Sequence, residues 1–225
     1  MSDSNEKRVP RGMIVEFDYA VLPGHQLLLE VCKAQFAEIG LKVDAALMAH
    51  HMYGRPFAAA LTALMTQQEK TVDVPAVIAL CNTAFSAALT GALPTVPAEF
   101  KKFVEAVLAK DVKVVIISRA SADAVKALFA NVEGNLVVQT DTSSGFGFLG
   151  WDVWRRAARK NDLRERLCVA ITGSGFSVKG VLTSSMSVMF KENPLVAYQD
   201  FSGADIAIEK FDAALVKEVA RILRI

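Results

Sequence analysis

Asp18 follows an apolar run, Met13-Ile-Val-Glu-Phe17, and leads into a loop punctuated by Pro23-Gly24. A carboxylate at the carboxyl end of a first strand stands where open α/β sheets place their ligands and chemistry. There it can attack an electrophilic centre or hold a divalent cation through its oxygens. Ser118 ends a second apolar run, Val112 to Ile117, and its hydroxyl is a candidate donor to an anion's oxygens. Thr172-Gly-Ser-Gly175 is a loop of small residues before a predicted helix, so Gly173, Ser174 and Gly175 form a candidate anion nest. Positions 172–177 contain no acid.

The remaining reactive residues carry weaker signals. Glu16 lies in the first apolar run, where a charge between two covered faces needs a partner. Alternation with period two puts it on the strand face of Asp18, ion-paired with a Lys or Arg or at a partner contact. His50 and His51 are adjacent, and helical ligands need spacing of three or four, so they read as structural. The basic run Arg155, Arg156, Arg159, Lys160, Arg164 and Arg166 reads as a solvated face balanced by Asp152, Asp162 and Glu165. Ser143 to Gly150 is Gly-rich but lacks the GxxxxGK[ST] pattern of a phosphate loop. Cys32, Cys81 and Cys168 form no CxxC pair and read as small buried hydrophobes in a reducing, cytoplasmic compartment.

These residues need a scaffold. The chain has 225 residues, 52% apolar and 22% charged, enough for a large core. A net charge of +1 gives no electrostatic claim on nucleic acid or a membrane surface. Met1 to Gly12 is polar and is expected to be a disordered leader. Strands are expected at 13–17, 112–117, 136–139, 167–171, 187–190 and 204–208, with helices between them. Such alternation gives βαβ units and a parallel, Rossmann-like sheet. Leu41 to about Gly91 reads as helical throughout, an inserted lid. Ala76 to Leu93 approaches the length of a membrane span, but its polar residues and lack of basic flanks favour a well-buried helix.

The order of elements, with Phe17-Asp18, Val114 to Ser118 and Trp151 to Met186, resembles the haloacid dehalogenase-like superfamily, in the helical-cap subgroup of phosphoglucomutases and phosphatases. The resemblance covers Met13 to the C-terminus. It implies a core of 13–24 and 92–225 with a cap of 25–91. It also implies four catalytic loops: Asp-x-Asp as nucleophile and general acid–base, a Ser or Thr holding phosphoryl oxygens, a Lys, and one or two metal-binding acids. Asp18 and Ser118 match. The second Asp is replaced by Ala20, the Lys by Phe148, and the fourth-loop acids by Thr172 and Gly173, so the resemblance leaves Asp18 as the only candidate Mg²⁺ ligand and otherwise no metal site. The phosphonoacetaldehyde hydrolases share Ala at the second position, but their cap Lys has no counterpart in 52–58, where Arg55 is the only cation.

General acid–base assistance is worth about 10² to 10⁴ in rate, and a lost preorganised charge stabiliser costs roughly 3 to 4 kcal/mol. The expectation is a degenerate member that acts by binding a small molecule or a protein, without nucleic acid, membrane or cofactor. The alternative is a residual hydrolase with Asp18 as nucleophile on a small phosphorylated metabolite, retaining Mg²⁺. A third reading, an apolar-ligand groove, rests on Phe146 and Phe148.

Overall fold

The computed structural model describes residues 9–53, 55–140 and 149–225. Six parallel strands form one sheet: β1 (Arg11–Glu16), β2 (Val112–Ser118), β3 (Leu136–Thr140), β4 (Cys168–Thr172), β5 (Ser187–Lys191) and β6 (Ile206–Ile208), in the order β3-β2-β1-β4-β5-β6. The expected parallel α/β sheet is present. The strand order reverses at β1, which lies between β2 and β4, so the crevice above their carboxyl ends is the natural ligand position. Glu16 pairs with Ile117, and Val15 with Ile171.

β1 ends one residue earlier than the sequence reading placed it. Phe17 opens a helical turn, Phe17–Ala20, so Glu16 is the last strand residue and Asp18 sits in the turn. Phe17 forms the turn because its ring drops into an aromatic cluster with Phe100, which also contacts Phe103 and Phe211. Burying each such ring stabilises the fold by roughly 1.5–3 kcal/mol.

Between β1 and β2 the chain is helical or irregular: α1 (Gly24–Glu38), α2 (Phe57–Gln67), α3 (Val74–Ala92) and α4 (Ala98–Leu108) are its main helices. Residues 41–44 are not helical, contrary to the expectation of helix throughout. The helix α3 forms as expected but is not well buried. Only Val77, Cys81, Phe85 and Leu89, one stripe at four-residue spacing, are buried in it, and Leu80 is 56% exposed. Its small Ala-rich remainder faces outward because the helix packs on one side only, mainly against α1. By length and composition alone this helix, extended to Thr95, is the one among the described residues apolar enough to cross a membrane.

Beyond β2 come α5 (Ala122–Leu128), α6 (Val153–Lys160), α7 (Gly175–Leu182) and α8 (Ala213–Leu223). Side chains alternate across β1. Met13 and Val15 join the core that includes α4 and α8, whereas Ile14 joins Trp154 of α6 and Val178 and Val181 of α7. Glu16 shares the parity of Ile14 and therefore points toward α7. All three cysteines are free and buried.

Candidate functional site

The carboxyl ends of β1, β2 and β4 bring Glu16, Asp18, Ser118, Arg119 and Gly173 together, and the first four are nearly inaccessible. Asp18 accepts from the Ser118 hydroxyl at 2.6 Å and from the Arg119 backbone N–H at 2.9 Å, one bond to each oxygen. Glu16 accepts from the Gly173 N–H at 2.9 Å and the Ser177 hydroxyl at 2.7 Å, again one to each oxygen. The two carboxylates thus reach different loops, Asp18 the end of β2 and Glu16 the start of α7. The period-two expectation of a shared strand face ends where the helical turn begins.

Arg119 is the cation Glu16 was expected to need, and sequence reasoning missed it. Its side chain is 6% exposed. Its positive charge lowers the pKa of Glu16, Asp18 and Tyr19. Burial nevertheless dominates: it pushes Glu16 up to about 7, against the pull of the Gly173 and Ser177 bonds. Burial likewise raises Asp18, opposed by Arg119 and by the Ser118 hydroxyl. A buried pair of acids around one guanidinium holds its ionisation in balance, since desolvation disfavours charge and the cation restores it.

His25, in the first turn of α1, is fully buried. Its Nε2 donates to the Gly173 carbonyl at 2.8 Å, since a carbonyl can only accept. Burial lowers its pKa to about 4, so the ring is neutral at physiological pH. It packs on Tyr19 with ring centroids 4.6 Å apart, and Tyr53 donates to its carbonyl at 2.9 Å. Above the β4 loop the backbone is in close contact. A Cβ added at Gly173 would lie 2.3 Å from the Tyr19 carbonyl oxygen, so only glycine fits. His51 bonds Gln67, and His50 lies against His51 edge to face.

The nest expected at 173–175 is engaged by the protein itself. Gly173 N–H goes to Glu16, Gly175 N–H to Gln199 at 2.8 Å, and the Ser174 hydroxyl caps α7 by accepting from Ser177 N–H. Thr172 is buried, and its hydroxyl has no partner among the described residues. Ala20 is buried in the helical turn. Phe146 and Phe148 fall outside the described residues. No group of three or more His, Cys, Asp or Glu gathers as a metal site among the described residues. Mg²⁺ would find few ligands in the groups described: each oxygen of Asp18 and Glu16 already accepts one hydrogen bond, and the fourth-loop position offers the Thr172 hydroxyl but no carboxylate. Of the basic run, Arg156 pairs with Asp152 and Arg159 with Glu165.

No sequence profile of a known family and no curated protein sequence matches the chain. Solved structures do match over nearly its whole length. A phosphonoacetaldehyde hydrolase-like protein from Oleispira antarctica superposes with a TM-score of 0.70 at 13% identity, over 100% of this chain and 98% of that one. The fold is that of the haloacid dehalogenase-like hydrolases. CbbY from Rhodobacter sphaeroides, solved in complex with phosphate, shares this haloacid dehalogenase-like fold at a TM-score of 0.67 and 13% identity, covering 90% of this chain and 95% of its own. A hydrolase of this fold from Deinococcus radiodurans, with bound phosphate and sodium, gives 0.62 at 21% identity, over 95% and 96%.

Proposed function

We propose that this haloacid dehalogenase-like chain is a catalytically degenerate member that acts by binding or protein contact in the cytoplasm, without a metal cofactor. One observation carries the reading: the Asp18 carboxylate takes the Ser118 hydroxyl and Arg119 N–H for itself. In the fold's hydrolases, as the resemblance has it, that hydroxyl holds phosphoryl oxygens. An internal carboxylate in its grip is a permanent substitute for the substrate's anion. Arg119 stands in for the missing cation, and an acid already hydrogen-bonded at both oxygens makes a poor nucleophile. The exposed apolar face of α3 supports a role in protein contact.

The position of Asp18 favours a second reading. Its carboxylate stands between the carboxyl ends of β1 and β2, where open α/β sheets hold ligands, and suits a residual hydrolase with Asp18 as nucleophile. One assay separates the two: a panel of phosphate esters and phosphonates, with and without Mg²⁺, beside Asp18→Asn and Glu16→Gln. The binding reading expects no turnover above background. Turnover abolished by either substitution overturns it.

A further inference from the structure

A cavity lies at the other end of the sheet, around the amino ends of β1 and β2. It has a volume of about 810 Å³, within the size range of small-molecule sites. Arg11 enters from β1, Lys110 and Lys113 from the turn into β2 and from β2 itself, Arg164 from the loop before β4, and Arg224 from the end of α8. Asp111 and Asp162 are the carboxylate side chains in its lining.

Two observations set these walls apart from an ordinary solvated face. The whole chain is nearly neutral, with 25 Lys and Arg against 24 Asp and Glu, so five cations against two carboxylate side chains and the Ile225 carboxylate is a local concentration. Two of the five are also pinned. Arg11 Nε donates to the Leu223 carbonyl at 2.6 Å, and Lys113 Nζ to the Asn161 carbonyl at 2.8 Å, so their charges are held at the wall.

We infer that this cleft binds a small anion carrying two or more phosphate groups. Arginine forks and lysine point charges are the side chains that hold phosphate oxygens. A cleft of this size, with cations arriving from separate segments, suits a chain of phosphates better than one.

Pyrophosphate is the probe, titrated calorimetrically into the full chain at low salt. One saturable site is expected, weakening as sodium chloride is added. The double variant Lys113→Ala/Arg164→Ala weakens it about tenfold or more, the effect of losing charge-assisted bonds. Lys126→Ala, on α5 and outside the cleft, leaves it unchanged. Thermal melts establish that each variant is folded. Amide shifts at Gly12 and Asn135 on titration give a readout that does not depend on the variants. Absence of saturable binding at millimolar pyrophosphate overturns the inference. So does binding that survives the double substitution or is lost in Ser118→Ala, which puts the anion at the opposite end of the sheet.

Discussion

Asp18 and Ser118 stand 100 residues apart in the chain and 2.6 Å apart in the fold, carboxylate oxygen to hydroxyl. The contact closes the end of β1 onto the end of β2. It also limits what that end of the sheet can accept, because the Ser118 hydroxyl and the Arg119 N–H are already engaged.

Removing the internal carboxylate opens the site. Asp18→Ala leaves the Ser118 hydroxyl and Arg119 N–H buried without an acceptor, at a cost of roughly 1–3 kcal/mol. Inorganic phosphate or sulfate is expected to restore part of that loss, as a rise in melting temperature absent from the wild type. Asp18→Ala/Ser118→Ala is expected to lose the rescue. A variant whose melting temperature ignores phosphate sinks the idea that Asp18 mimics a bound anion.

The acid and the histidine pull stability in opposite directions with pH. Glu16 has a folded pKa near 7, above its ordinary 4.5, so the folded state holds the extra proton. Stability from this group is full below about 4.5 and falls as pH rises toward 7, by about 3 kcal/mol. Asp18, also raised, acts in the same sense. His25, lowered from 6.5 to about 4, loses stability as pH falls through that window. Glu16→Gln is therefore expected to gain stability over wild type progressively from pH 4.5 to 7, measured by urea unfolding at several pH values. A difference independent of pH refutes the assignment.

Arg119 holds two buried acids in balance. Arg119→Ala is expected to cost about 3–5 kcal/mol, the range for stranding a buried charge. Without the cation both acids shift further upward and are neutral at low pH, so the cost is smaller at pH 5 than at pH 8. Equal losses at the two pH values mean that packing alone is at stake.

Phe100 sits at the centre of the ring cluster beneath the helical turn that carries Asp18, in contact with Phe17, Phe103, Phe129 and Phe211. Phe100→Ala is expected to destabilise the chain by about 3–5 kcal/mol in denaturant titration, as for other buried rings. A loss below about 1 kcal/mol would show that the cluster collapses into the gap.

The sheet was legible because strands and helices alternate with clear apolar runs, and Ser118, Asp18 and Gly173 meet where the topology brings strand ends together. Three things were not legible. The end of β1 depends on where the Phe17 ring finds its cluster, which is a tertiary fact. Arg119 follows Ser118 in a loop with no periodicity to say that its side chain turns inward; only the unexplained charge at Glu16 pointed to a cation. In α3 the apolar composition suggested burial all round, whereas the buried stripe is just Val77, Cys81, Phe85 and Leu89. Alanine counts as apolar in either setting, so composition could not separate the two faces.

The tight seat of Gly173 beneath Tyr19 ties two strand ends together in sequence space. Any side chain at 173 would put its Cβ 2.3 Å from a backbone carbonyl oxygen, with no flexible end to move aside. The helical turn Phe17–Ala20 must shift first, and the Asp18–Ser118 bond anchors it. A carboxylate can therefore enter the β4 loop at 173 only after the turn at the end of β1 has been remodelled. Substitutions here have an order, and the fold sets it.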